Sequence, residues 1–135
     1  MKNLIYLAFL FLSLGSQAQS ADLSVEVSNV SGTKGIVIFS LFNKKNFMGP
    51  SPLSSLRAKI KDGLASASFK DLKPGEYGVI ALHDKNENGK MDYSVQGMPL
   101  EDYGVSNNTL TFGPPQWEDA AFIIESKDKE LKIRF

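Results

Sequence analysis

The sequence predicts an all-β protein, a seven-stranded antiparallel β-sandwich with one long irregular excursion. Two observations support the sandwich. Apolar and polar residues alternate with a period of two over many short segments, as in half-buried strands. Gly, Pro, Asn and Asp residues separate these segments at short intervals, and frequent turns between short strands are typical of a sandwich. The excursion is predicted because residues 84–118 show little periodicity of either kind.

Residues 1–18 have the features of a secretory signal peptide. Lys2 precedes an apolar run from Leu4 to Leu14, and Ser16-Gln17-Ala18 supplies a small-x-small cleavage site. The apolar run is shorter than the roughly 20 residues that a membrane span requires. We therefore expect cleavage after Ala18, export to the periplasm or the extracellular space, and no membrane insertion of the mature chain. Residues 19–135 are then a single β-sandwich domain.

The composition limits the classes of partner. The chain has 15 basic and 15 acidic residues and no cysteine. Because no basic patch is visible, nucleic acid is a poor partner. Without cysteine, no disulfide can stabilise the exported protein, and a calcium ion bound to the folded state could supply part of that stability instead.

The first half of the domain divides into strands and turns. Leu23–Val27 alternates and predicts a half-buried strand, whereas Gly35–Phe42 is apolar on both faces and predicts a central strand. The segment 43–52 contains Gly49, Pro50 and Pro52 and predicts a loop. Asp62-Gly63 follows another alternating segment and is a strong hairpin signal. The register of that hairpin is predicted to pair Ile60 with Ala65, Ala58 with Ala67, and Leu56 with Phe69.

The second half is predicted to hold one more strand, the excursion and a closing hairpin. Gly75–His83 is a strand that leads directly into the excursion. Ala120–Glu125 and Lys129–Phe135 are predicted to form a hairpin around residues 126–128. In its second strand, alternation places Leu131, Ile133 and Phe135 toward the core.

The segment 84–92 reads D-x-N-x-N-G-x-x-D, which has the spacing of the first part of an EF-hand calcium loop. Calcium prefers six to eight oxygen ligands at about 2.3–2.6 Å, and alternate residues of a curled loop can point toward one ion. Val95 stands where an EF-hand has its bidentate Glu, so the motif is incomplete. Glu101, and after it Asp102, are the candidates for the missing carboxylate. The predicted calcium ligands are Asp84, Asn86, Asn88, the carbonyl of Lys90, Asp92 and Glu101.

Three blocks of sequence resemble a family of small exported bacterial proteins classed as a domain of unknown function. The blocks are F-x-x-L-x-P-G-x-Y over 69–77, H-D-x-N-x-N-G-x-x-D over 83–92, and G-x-P-x-E-x-Y-G-x-S-N-N over 97–108 followed by G-P-P-x-W-E-D-A over 113–120. The resemblance covers essentially the whole mature chain and implies no particular activity. The first block also resembles transthyretin-like and collagen-adhesin B-type sandwiches, which favours a transthyretin-like or immunoglobulin-like fold.

Other side chains in or near the excursion have both functional and structural interpretations. Tyr93, Tyr103 and Trp117 could line a groove for a glycan or protein ligand, or they could pack the excursion onto the sheet. One contiguous exposed patch of these rings would favour ligand binding, and buried rings a structural role. His83, the only histidine, is favoured as a hydrogen-bonded structural residue. Ser106-Asn107-Asn108 is expected to cap the excursion by hydrogen bonds to the backbone.

The sequence favours an exported, non-enzymatic binding module with a structural calcium loop. Its ligand is an unknown envelope or extracellular molecule. A structural cell-envelope component without a small ligand is the alternative. A hydrolase is disfavoured, because no complete set of nucleophile, acid and base is present and no Gly-x-Ser-x-Gly elbow occurs.

Overall fold

A computed structural model describes residues 19–135; the predicted signal peptide, residues 1–18, lies outside the described residues. The described chain contains eight strands and one short helix. In chain order these are β1 Ala21–Val27, β2 Ile36–Phe42, β3 Ser54–Lys59, β4 Ala65–Leu72, β5 Gly75–Asp84, β6 Tyr103–Val105, α1 Trp117–Ala120, β7 Phe122–Ile124 and β8 Lys129–Ile133. Over residues 19–135 no helix has the length or apolarity to cross a membrane.

The strands form two sheets packed as a sandwich, as the sequence predicts. The smaller sheet has the order β4-β1-β8, and the larger has the order β3-β2-β5-β6, with β7 also paired to β5. One hydrophobic core fills the space between the sheets, and its largest fully buried side chains include Leu23, Phe39, Leu41, Ile124 and Ile133. The apolar strand β2 lies in the centre of the larger sheet, between β3 and β5, which confirms the prediction for this segment.

Two details of the predicted architecture are wrong. There are eight strands, because β6 forms inside the segment that was predicted to be irregular. The sandwich is also not entirely antiparallel, since β1 and β8 pair in parallel, with Val25 opposite Leu131. The period-two pattern of a strand defines which face is buried and carries no information on the direction of its neighbour.

The predicted hairpin turn is present, but the predicted register of the strands beyond it is wrong. Asp62 and Gly63 both have positive φ, of 53° and 75°, which is the backbone of a type I′ turn. The N–H and carbonyl groups of Lys61 and Leu64 exchange hydrogen bonds across this turn. Beyond them the strands separate, because β3 pairs with β2 while β4 pairs with β1 in the other sheet. The predicted inward residues of both strands do contact the core, from opposite sides of it.

The prediction of a closing hairpin is wrong for the same reason, because its two strands lie in different sheets. β7 pairs with β5 in the larger sheet, and β8 crosses to pair with β1 in the smaller one. The inward residues Leu131, Ile133 and Phe135 do pack against the core, as the alternation predicts.

The turn before β5 explains the Leu-Lys-Pro-Gly-Glu-Tyr sequence over 72–77. The Tyr77 hydroxyl donates a hydrogen bond of 2.8 Å to the Lys73 carbonyl, while the ring packs against the core. This tyrosine therefore fixes the path by which the chain enters β5. Because β5 is the strand that carries the predicted ion loop, this turn contributes to the position of the loop.

Candidate ion-binding loop and adjoining groove

Strand β5 determines where the loop begins. In its pairing with β2, Leu82 lies opposite Ile38 and Asp84 opposite Ile36. Leu82 and Asp84 therefore share the outer face of the larger sheet, whereas His83 points toward the core. Asp84 is fully buried at the end of this row of side chains. The loop starts from a carboxylate that the sheet holds in place.

Asp84 organises the tip of the loop through backbone hydrogen bonds. Its Oδ1 accepts from the Asn88 N–H at 3.1 Å, and its Oδ2 accepts from the Gly89 N–H at 2.7 Å. Gly89 has φ of +83°, a conformation that favours glycine. The predicted first and sixth positions of the loop are thus in direct contact, and the residue types at both positions are explained by the geometry.

Asp92 is the point on which the two asparagine side chains converge. Asn86 Nδ2 lies 2.6 Å from Asp92 Oδ2, and Asn88 Nδ2 lies 2.9 Å from Asp92 Oδ1. In this orientation the amide oxygens of Asn86 and Asn88 accept from the N–H groups of Asn88 and Lys90 at 3.2 Å and 3.1 Å. Rotation of each amide by 180° would give up these two bonds and would present two acceptors toward the same carboxylate. Such a set of oxygens repels itself unless a cation lies among them.

Glu101 joins the two ends of the loop. This side chain is only 6% exposed, and its Oε1 accepts from the Lys85 N–H at 2.8 Å while its Oε2 accepts from the Asp92 N–H at 3.2 Å. A backbone hydrogen bond of 2.8 Å from Leu100 to the Asp92 carbonyl strengthens this contact. Glu101 therefore brings a carboxylate from the excursion to the loop. The sequence predicts an additional carboxylate at this place.

The three loop carboxylates of Asp84, Asp92 and Glu101 have no cationic partner in the described part of the chain. The ion pairs within 4.0 Å among residues 19–135 involve the carboxylates of Asp22 and Asp102 only. Nor is any group of three or more His, Cys, Asp or Glu side chains in residues 19–135 arranged to hold a metal ion. A calcium ion would therefore need amide and carbonyl oxygens in addition to carboxylates, which is the mixture that the loop spacing predicts.

Asp102, the second candidate carboxylate, belongs to a different contact network. Its Oδ2 accepts from Ser31 Oγ at 3.0 Å and lies 3.3 Å from Lys85 Nζ. Partial burial, the largest effect, acts to raise the pKa of Asp102, but the Ser31 hydrogen bond and the Lys85 ammonium group together hold it below the ordinary value. The neighbouring His83 is 1% exposed, and its Nε2 lies 2.8 Å from the Lys34 carbonyl. This environment supports the structural interpretation of His83.

A groove of about 630 Å³ lies beside the loop on the outer face of the larger sheet. Its floor comes from β2 and β5 and is apolar except for Ser40, whose hydroxyl oxygen lies 3.0 Å from that of Ser55. One wall comes from the segment 48–52. The other wall comes from the segment 89–93, which is the end of the ion loop together with Tyr93. Strand β3 contributes Ser55 and Arg57 at the edge. The four large apolar residues of the floor are Ile38, Phe42, Ile80 and Leu82.

The three aromatic candidates have different environments and do not form one exposed patch. Tyr93 is 59% exposed and lines the groove. Tyr103 lies opposite Leu82 in β6 and is half-buried. Trp117 is buried, with its ring edge-to-face on Phe47 at 5.5 Å between centroids. Of the three, Tyr93 alone lines the groove. Tyr103 and Trp117 do not, and their burial favours a structural role for these two rings.

The Ser106-Asn107-Asn108 segment caps the excursion, as predicted. The buried Ser106 hydroxyl donates to the Ala120 carbonyl and accepts from the Val79 N–H at 3.1 Å. Asn107 donates to the Ala121 carbonyl at 2.9 Å, and Asn108 exchanges hydrogen bonds with the backbone of Lys132 and Arg134. These side chains join the excursion to both sheets.

Sequence reasoning missed the part of the groove that lies far from the loop in the chain. The alternation of residues 56–61 predicts only that Arg57 faces away from the core, yet a Cβ built on Gly89 would lie 3.2 Å from its Nη2. Met48 is in a segment predicted only as a loop, and it forms part of the opposite wall. The apolar character of both faces of β2 was the one available signal, because an outer face of such residues needs a cover or a ligand.

Comparison with known proteins gives a family but no activity. The family described as an uncharacterized protein conserved in bacteria (DUF2141) matches residues 25–132. The sequence matches no curated protein. Among solved structures the chain is similar to a pilus-presented adhesin, with 12% identity and a TM-score of 0.29. That match covers 88% of this chain and 27% of the adhesin, so the chain spans about a quarter of that protein.

Proposed function

This chain belongs to the family of uncharacterized bacterial proteins whose sequence it matches, and we propose that it is an exported, non-enzymatic binding module. Calcium binds at the Asp84–Asp92 loop in this proposal, and the groove beside the loop receives the ligand. The ion has a structural role: it fixes the wall of the groove, and it does not take part in chemistry.

The observation that carries the calcium proposal is the unbalanced charge of the loop. Asp84 and Glu101 are buried and Asp92 is half-buried, and hydrogen bonds join all three to the same short segment. Burial of a carboxylate is costly unless hydrogen bonds or an opposite charge compensate it. Backbone N–H groups supply part of that compensation here, and a divalent cation would supply the rest.

The position of the loop supports a link between the ion and ligand binding. Gly89, Lys90 and Met91 lie within the loop and line the groove together with Tyr93, which follows the loop. An ion that orders the loop would therefore order one wall of the groove. A preformed wall reduces the conformational entropy that a ligand must overcome on binding.

Calorimetry of residues 19–135 with calcium and with magnesium tests the proposal. We expect calcium to bind in the range of about 10⁻⁴–10⁻³ M that is common among extracellular modules, and magnesium to bind more weakly because it gives up water reluctantly. Asp84→Ala should abolish binding, Asp92→Asn should weaken it less because a neutral oxygen remains, and Glu101→Gln should also weaken it.

Glu87→Gln is the matched control, since Glu87 lies in the same loop, is exposed and is not a predicted ligand. Equal calcium affinity in wild type and Asp84→Ala would contradict the proposed site. No heat of binding with any of these proteins would leave the loop as a polar turn and would favour a structural envelope component.

A further inference from the structure

We propose that the groove binds a small amphiphile that has an apolar body and one anionic head group, as a fatty carboxylate has. The inference deepens the proposed function, because it names the class of ligand for that groove. It depends on the chemistry of the lining, which combines a largely apolar floor with two basic side chains.

The apolar part of the lining fits a hydrocarbon body. Ile38 and Phe42 of the floor are buried, and Ile80 and Leu82 are half-buried between them and the walls. The two walls carry the more exposed side chains of Met48 and Tyr93, which are 48% and 59% exposed. Flexible methionine and amphipathic tyrosine side chains adapt to apolar ligands of irregular shape. The volume of about 630 Å³ lies within the range of small-molecule sites, about 300–1,000 Å³.

The charged part of the lining selects the head group. Arg57 and Lys90 are the charged residues of the groove, and both are basic. Within residues 19–135 neither has a carboxylate oxygen within 4.0 Å, so neither charge is neutralised by an ion pair. The Arg57 side chain reaches across the groove to Gly89, where a Cβ would lie 3.2 Å from its Nη2. Guanidinium groups bind carboxylates through two parallel hydrogen bonds, which favours an anionic head at this edge.

Two fluorescent dyes provide a matched test. Anilinonaphthalenesulfonate and N-phenyl-naphthylamine share one apolar body, and only the first carries an anionic group. We expect residues 19–135 to bind the anionic dye about tenfold or more tightly than the neutral one, since hydrogen bonds to charged groups have about this effect. Decanoate should displace the anionic dye, and acetate should not, because acetate lacks the apolar body.

Variants separate the groove from non-specific binding. Arg57→Gln combined with Lys90→Gln should reduce the affinity for the anionic dye at least about tenfold and leave that for the neutral dye unchanged. The control pair has the same change in net charge and combines Lys132→Gln with Arg134→Gln, both exposed at the end of β8. Ser55→Trp, a change of an exposed lining residue, should obstruct the groove and weaken the binding of both dyes.

The outcomes distinguish this inference from the calcium proposal, which is measured on the same protein by calorimetry. Equal affinity for the two dyes, or an equal loss in both double variants, would overturn the amphiphile inference whatever the calcium result. Absence of dye binding in a protein that binds calcium would overturn it as well. Selective binding of the anionic dye at the groove would support it even where calcium does not bind.

Discussion

Asp102 lies where the excursion meets the loop between β1 and β2. Burial acts to raise the pKa of its carboxyl group, and the contacts with Ser31 and Lys85 outweigh burial and lower that pKa. Because the folded-state pKa is below the unfolded value of about 3.9, Asp102 contributes stability above that pH. The contribution is lost as the pH falls through the folded-state pKa.

Asp102→Asn should therefore lower the free energy of unfolding at pH 7 and have less effect near pH 3. The loss should be below about 1 kcal/mol, because the side chain is 43% exposed and solvent screens the ion pair. Urea unfolding at both pH values measures it, with exposed Glu130→Gln as the control. A difference between wild type and Asp102→Asn that grows as the pH falls would contradict the assignment.

The buried hydroxyl group of Ser106 connects β5 to α1 by hydrogen bonds. Ser106→Ala leaves the Val79 N–H and the Ala120 carbonyl without this partner, and a buried unsatisfied polar group costs about 1–3 kcal/mol. Ser66→Ala, exposed on β4, should change stability by less than about 0.5 kcal/mol. Equal urea midpoints for the two variants would show that Ser106 does not hold α1 against the sheet.

The residues of the loop were predictable because their spacing expresses local geometry. Asp84 and Gly89 touch through one turn of backbone, so a short motif contains their relationship. The role of Arg57 was not predictable, since it depends on the path of a strand more than thirty residues earlier in the chain. Local motifs specify loops, and only the tertiary fold brings β3 to the edge of the groove.

Strand β6 can form at its position only because residue 104 is a glycine. A Cβ on Gly104 would lie 2.2 Å from the Arg134 carbonyl oxygen and 2.6 Å from Ile133 Cγ2. β6 can therefore pair with β5 beside the end of β8 only if this position lacks a side chain. Nothing in the sequence indicated the close approach, because a lone glycine in an irregular segment is usually a turn residue.

Gly104→Ala should destabilise the domain by about 1–3 kcal/mol, the usual cost of forcing atoms into a well-packed site. Gly75→Ala is the control, since the nearest atom to its added Cβ is at 3.7 Å, an ordinary contact. Urea unfolding monitored by the fluorescence of Trp117 compares them. A Gly104→Ala protein as stable as the control would mean that β6 does not pack against β8.

At the scale of elements, the sequence predicted which residues face the core better than which strands are partners. The alternation of Leu56 and Ala58 and that of Ala67 and Phe69 were interpreted correctly. Their assignment to one hairpin was wrong, because two strands on opposite sides of a core show the same alternation as two neighbours in one sheet. The Asp62-Gly63 turn fixes the reversal of the chain and leaves the strands free to diverge.

The whole molecule divides into a sandwich held by its core and an excursion held mainly by polar contacts. Several large side chains of the excursion are exposed, among them Val95, Met98, Leu100, Leu110 and Phe112. Burial therefore offsets little of the ordering entropy of this segment, which is about 1–2 kcal/mol per residue. The buried side chains of Val105 and Trp117, the contacts of Glu101 and Ser106 and, in our proposal, the ion together oppose that entropy.

A thermal melt of residues 19–135 in chelator and in excess calcium tests this account most directly. An ion that binds the folded state alone stabilises it by about 2.7 kcal/mol at a hundredfold excess over Kd, and millimolar calcium should give a smaller gain of a few degrees in Tm. We predict that gain for wild type and Glu87→Gln, less of it in magnesium, and its loss in Asp84→Ala. Identical melting points of wild type in chelator and in calcium would contradict the central claim that the ion holds the excursion and the groove wall in place.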